Sequence, residues 1–156
     1  MMMMMMIEQP DIRPFLTRRG WSYRLNSPYF YVWEKNGVRR RMKIAAGFEY
    51  DGASVPRPLW TLTGIERDGL QRAAALVHDV LYRCEGWLPD GMQEIWSDGH
   101  EAWEAVRDAR WTRAEADALF CRMLREAGVS VLKRRMMYRG VRAFGWMFWK
   151  AKGMRS

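Results

Sequence analysis

The chain has 156 residues, 49% of them hydrophobic and 13% aromatic, which excludes a disordered segment and provides enough apolar surface for the core of one domain. Its formal net charge of +8 is unevenly placed: residues 130–156 contain eight Lys and Arg and no acid, and elsewhere 18 bases balance 18 acids. An anionic partner should therefore meet the C-terminal segment. Cys84 and Cys121 form no metal or disulfide spacing, in keeping with a reducing compartment or plain burial. The six methionines at the start read as an uncertain start codon, since they lack the basic region, long apolar stretch and cleavage site of a secretory signal. No apolar run approaches the roughly 20 residues of a membrane helix, so no span is expected.

Residues 1–20 mix Pro10, Pro14 and Gly20 with charges and read as an irregular lead-in. Residues 28–34 are aromatic and β-branched, Asn36-Gly37 is a two-residue turn signal, and residues 38–44 alternate again, which predicts a β-hairpin with a type I′ turn. Its second strand puts Arg39, Arg41 and Lys43 on one face, read as a solvated row, and Val38, Arg40, Met42 and Ile44 on the other. Residues 47–50 extend the hairpin to a three-stranded sheet. The loop that leaves it contains Asp51, Gly52 and Ser54, which can also bond their own backbone as a self-capping turn. Pro56 and Pro58 then hold an extended link.

A helix follows. Asp68 and Gln71 form a candidate capping box, and Leu70, Ala73, Ala74, Val77 and Leu81 recur at helical spacing. His78 borders that apolar stripe, Tyr82 lies one turn on, and Asp79 is rotated by about 100°, so the two ionisable groups are expected to line a cleft at the helix edge. Residues 83–111, with four tryptophans and a predicted short helix over 99–109, read as an insertion or lid, or as ordinary packing. Thr112 and Glu115 form a second capping box, opening a helix to Gly128 with the stripe Ala116, Leu119, Phe120, Met123, Leu124 and Ala127. Asp117 sits beside that stripe, where a lone carboxylate is expensive to bury, and His78 is its best partner. A last, basic helix after Ser130 carries Met137, Val141, Phe144, Gly145 and Phe148 on one side. Strand signals end near Tyr50 and helical periodicity begins near Leu70, so the fold class is α+β, a small antiparallel sheet packed against three or more helices in a single domain over 1–156.

Four ordered blocks resemble the phage and prophage proteins grouped as the domain of unknown function 1353 family. They are Ala-Gly-Phe-Glu-Tyr-Asp-Gly-Ala-Ser-Val-Pro from Ala46, Ala-Ala-Leu-Val-His-Asp-Val-Leu-Tyr from Ala74, Arg-Ala-Glu-Ala-Asp-Ala-Leu-Phe from Arg113 and Met-Tyr-Arg-Gly-Val-Arg-Ala-Phe-Gly from Met137. Segment 83–111 is longer than that family's usual spacer. The resemblance implies a phage or prophage setting, in the host cytoplasm or the virion, and no activity. Locally, His78, Asp79 and Tyr82 are similar in spacing to the His-Asp-x-x-Tyr active-site helix of secreted phospholipase A2, though the flanking cysteines and the Cys/Gly-rich calcium loop are missing.

That similarity implies His78 as general base, Asp117 as its partner, Tyr82 as the group holding Asp117, and Asp79 with Asp51 or its loop carbonyls as a Ca²⁺ or Mg²⁺ site. Gly52 and Ser54 would line the substrate side, with Ser54 a lesser candidate nucleophile because no Gly-x-Ser-x-Gly elbow surrounds it. Each role has a plain alternative: a satisfied core histidine, Asp79 paired with Arg83 or Arg72, and Asp51 capping its turn. Three functions follow. The first is a metal-assisted esterase or phospholipase-like hydrolase. The second is a non-enzymatic virion or host-interaction module in which His78, Asp79 and Asp117 are structural. The third is nucleic-acid binding through the C-terminal helix. The anionic-partner surface, an anionic membrane before nucleic acid, is assigned to Arg142, Trp146, Trp149, Lys150 and Lys152.

Overall fold

The computed structural model describes residues 7–51, 55–64 and 69–150, the last of these by its backbone. They divide into two compact units, one formed by residues 11–49 with 87–110, the other by residues 50–86 and 111 onward together with the start of the chain.

The first unit is built of strands: β1 (Ile12–Thr17), β2 (Gly20–Leu25), β3 (Tyr29–Lys35), β4 (Val38–Ile44), β6 (Gln93–Ser97) and β7 (Ala102–Ala105), with the two-residue β5 (Glu49–Tyr50) at its end. They form two antiparallel-paired sheets in the orders β1-β2-β5 and β3-β4-β6-β7. The expected hairpin is present as β3 and β4. Lys35 pairs with Val38 across a two-residue loop, and Asn36 and Gly37 both take positive φ, 53° and 74°, as a type I′ turn requires. Met42 and Ile44 are fully buried, and Arg39 and Lys43 are exposed on the other face as the alternation demands.

Three expectations are corrected here. The lead-in is not irregular, because β1 and β2 pair from Ile12 opposite Leu25 to Thr17 opposite Gly20; Pro14 is tolerated because β1 is an edge strand, where a missing N–H breaks no central ladder. The predicted helix over 99–109 is a hairpin, in which Trp96 pairs with Trp103 at 5.5 Å between ring centroids. A cross-strand aromatic pair of this kind outweighs a weak helical periodicity. The short strand β5 does not extend the β3-β4 hairpin but joins β1 and β2, guided by bonds from Leu25 N–H to the Phe48 carbonyl and from Gly47 N–H to the Leu25 carbonyl.

The second unit is helical: α1 (Arg57–Thr63), α2 (Arg72–Arg83), α3 (Arg113–Glu126), α4 (Val131–Phe144) and α5 (Trp146–Lys150). No helix among the described residues is long and apolar enough to cross a membrane. The capping box read at the start of α3 forms, and α4 opens on a cap of its own. Thr112 and Glu115 complete a reciprocal capping box, and the Ser130 hydroxyl accepts the Lys133 N–H. The six apolar stripe residues of α3 are all buried, each large one contributing roughly 1.5–3 kcal/mol. On α4 the buried face is Met137, Gly140 and Val141, whereas Phe144, expected in the stripe, is 54% exposed.

The start of α2 departs from the sequence reading. Its N-cap is Gln71 with no side-chain cap bond, and Asp68 lies outside the described residues. The work is done from a distance. The Gln9 side chain accepts the Ala73 N–H at 2.8 Å and donates to the Leu70 carbonyl at 3.0 Å, so a residue of the lead-in satisfies one of the orphan donors at the helix start. Gln9→Ala should therefore destabilise the fold by about 1–2 kcal/mol, read by urea unfolding, whereas Gln9→Glu, which keeps the acceptor, should lose less. An unchanged unfolding midpoint in Gln9→Ala would remove this cap from the account.

Candidate functional site

The site begins with the burial of α2. Every residue from Ala73 to Tyr82 is buried, so the helix is enclosed on all sides rather than along one stripe. The expected cleft edge at His78 and Asp79 is thus closed over at both residues, which are 1% and 3% exposed. Ionisable groups held this deep must be paired.

They are. The His78 Nε2 lies 2.8 Å from Asp117 Oδ1, and the Tyr82 hydroxyl donates to the same oxygen at 2.6 Å. Asp117 Oδ2 accepts Arg142 Nη1 at 2.9 Å and Arg113 Nη1 at 3.3 Å. An ionised carboxylate offers about four lone-pair sites, and here each oxygen takes two donors. Rings enclose the pair: Phe120 and Tyr82 stand 4.7 and 4.2 Å from the His78 ring, and Trp149 meets Tyr82 edge-on at 5.0 Å.

The electrostatics follow from this geometry. Burial pushes the Asp117 carboxyl upward, but the hydrogen bonds from His78 and Tyr82, the charge of His78 and the bond from Arg142 outweigh it and hold the carboxyl below its ordinary 3.8. Asp117 is therefore an acceptor only, and the His78 nitrogen facing it must carry the proton. Burial, then the bond to Asp117, pushes the Tyr82 phenol far above its ordinary 10.0, so it stays a donor.

Arg113 ties this cluster to a helix end. Its Nη1 and Nη2 also donate to the Val141 and Arg142 carbonyls at 2.9 and 3.1 Å, satisfying carbonyls in the last turn of α4, where a cation is favoured by the helix dipole. Gly145 completes the fit. A Cβ there would fall 2.4 Å from both the Tyr82 hydroxyl oxygen and the Val141 carbonyl, so no larger residue allows this approach.

The sequence-predicted residues divide accordingly. His78, Tyr82 and Asp117 come together as expected. Asp79 accepts the backbone N–H of Asp51 at 3.3 Å and has Arg83 Nη2 at 3.9 Å. Gly52, Ser54 and Lys152 lie outside the described residues, as does the side chain of Lys150. Among the described residues no group of three or more His, Cys, Asp or Glu could hold a metal ion. Arg142 was assigned to the surface but bonds Asp117, and Trp149 covers Tyr82; Trp146 is 52% exposed. Sequence reasoning missed Arg113, although its position four residues before Asp117 on one helix was the available signal.

A protein-family model described as Protein of unknown function (DUF1353) matches residues 23–141. No curated protein and no solved structure matches the chain.

The cluster sets two pH limits on stability. A carboxyl whose folded value lies below 3.8 contributes fully above that value and loses its contribution as pH falls through the folded one, and a phenol raised above 10.0 contributes fully below 10.0 and loses it as pH rises. Urea unfolding should find Asp117→Asn less stable at neutral pH by about 3–5 kcal/mol, because both guanidiniums lose their counter-charge. That deficit should shrink below pH 3.8, and the deficit of Tyr82→Phe should shrink above pH 10.0. Deficits independent of pH would show that these groups do not titrate through the fold.

Proposed function

The chain therefore belongs to the DUF1353 family, and because that description names no activity, we propose a function from the site itself: a non-enzymatic interaction module of a phage or prophage, in which His78, Tyr82 and Asp117 lock the helical unit. One observation carries this reading. Asp117 is fully buried and its carboxylate is saturated by four donors, two of them guanidiniums. A catalytic partner carboxylate must stabilise the imidazolium that forms when the base takes a proton. Here the carboxylate that would do so is already shared with the Tyr82 hydroxyl and two guanidiniums. Side-chain locking needs no such step.

The working surface in this reading is the C-terminal end of α4 and the start of α5, where Phe144, Trp146 and Met147 are exposed apolar side chains in a segment whose Arg135 and Arg139 are also exposed. Exposed Trp next to cations is the composition of an interfacial contact with anionic lipid. A second reading, a Ca²⁺- or Mg²⁺-assisted hydrolase, is favoured by the joint geometry of His78, Asp117 and Tyr82, with the Asp51 main chain beside Asp79.

One experiment separates them. The protein and its His78→Gln variant, which keeps a donor for Asp117 but has no base, are floated with anionic and neutral phospholipid vesicles with and without calcium, and fatty-acid release is measured in the same samples. Both proteins should float with anionic vesicles only, less so at raised salt, without lipid cleavage. Calcium-dependent release that His78→Gln abolishes would establish the hydrolase instead. Absence of flotation, with salt-sensitive retention on DNA, would favour nucleic acid.

A further inference from the structure

A second basic feature lies where the exposed side of α3 faces α4. Ala118, Cys121, Arg122 and Arg125 recur at helical spacing along the solvent side of α3, and Arg134 and Tyr138, four residues apart, face them from α4. Together these six residues line an open groove of about 310 Å³. Its charges are only partly spoken for. Arg122 pairs with Glu126 at 3.0 Å, and Arg134 is anchored through Nη1 to the Val129 carbonyl at 3.1 Å, which fixes its guanidinium at the rim. The Arg125 side chain makes no hydrogen bond or ion pair among the described residues and is exposed. With one acid against three guanidiniums, the groove carries a net charge of about +2, the match for a phosphate dianion.

We propose that this groove binds the phosphoryl group of a small phosphate ester, with Arg125 and Arg134 as its main donors. Forked guanidiniums suit phosphate oxygens better than ammonium groups do, because they present parallel N–H donors. The volume exceeds what a phosphoryl group fills, being about ten times the ~30 Å³ share of one liquid water, so the rest of the ester lies along Ala118 and the Tyr138 ring. Cys121 reports on the same space. Burial raises its thiol above the ordinary value, and the charges of Arg134 and Arg125 pull it down, which places both guanidiniums within electrostatic reach of the sulfur.

The groove is distinct from the anionic-lipid surface at Trp146, and phosphate binding there is measured without lipid. Alkylation of Cys121 by iodoacetamide is followed by peptide mass mapping, with Cys84 as the internal control, in the presence of inorganic phosphate, a nucleoside monophosphate, the unphosphorylated nucleoside, or sodium chloride at matched ionic strength. Phosphate and the monophosphate should slow the Cys121 reaction selectively, half-maximally at about millimolar concentration, and the nucleoside and chloride should not. Arg125→Ala, which removes no bond of the fold, should raise the required concentration about tenfold, the loss of one charge-assisted hydrogen bond. Equal slowing by chloride, no slowing by either phosphate, or an unchanged response in Arg125→Ala would each overturn the site.

Discussion

A carboxylate with no exposed surface is the constraint from which the helical unit can be understood. Taken out of water, the Asp117 charge is tolerable only where donors replace its hydration, and here the replacements come from α2 (His78, Tyr82), from its own helix α3 (Arg113) and from α4 (Arg142). Each donor reaches it only if its helix lies at one depth and one rotation, so a single charge sets the mutual placement of three helices. The end of α4 obeys the same requirement. Arg113 can serve both Asp117 and the Val141 and Arg142 carbonyls only because Gly145 brings no side chain between them.

The carboxylate that takes His78 and Tyr82 at one oxygen takes two guanidiniums at the other. The distances between His78, Tyr82 and Asp117 are those that a general base and its orienting carboxylate would show. The charge balance differs, because two guanidiniums draw on the same carboxylate that would otherwise serve the imidazole alone. Asp79 is tied to the residue that follows β5: its Oδ2 accepts the main-chain N–H of Asp51.

The surplus of basic residues resolves into groups with different physical roles. Arg41 donates through Nη2 to both carboxylate oxygens of Glu94 and is flanked by the Phe30 and Trp103 rings, with its guanidinium carbon 4.8 and 4.5 Å from their centroids. Arg113 and Arg142 are consumed by Asp117. Arg125 makes no such bond among the described residues, and Arg134 gives one nitrogen to a carbonyl while lining the groove beside it. A net charge read from composition counts all of these alike, whereas an anionic partner can meet only the last kind.

What the sequence by itself determined was mostly local, with one long-range pairing forced by the cost of a lone buried charge. The type I′ hairpin at Asn36-Gly37, the capping box at Thr112 and Glu115, the apolar stripe of α3 and the pairing of His78 with Asp117 were all legible, because each rests on turn geometry, on helical spacing, or on the high cost of a lone buried charge. What only the tertiary structure decided involved distant partners that no buried-charge argument singled out. Gln9 serves the start of α2 across 64 positions, Glu94 pairs with Arg41 across 53, and Arg142 completes Asp117 across 25. The pairing of Trp96 with Trp103 turned an expected helix into strands, and the burial of α2 on every side closed the edge at which a cleft was expected. Periodicity reports which face of an element is apolar. It carries no information on how many neighbours will cover that element, and that number decides whether a polar group on it faces solvent or must find its partners inside.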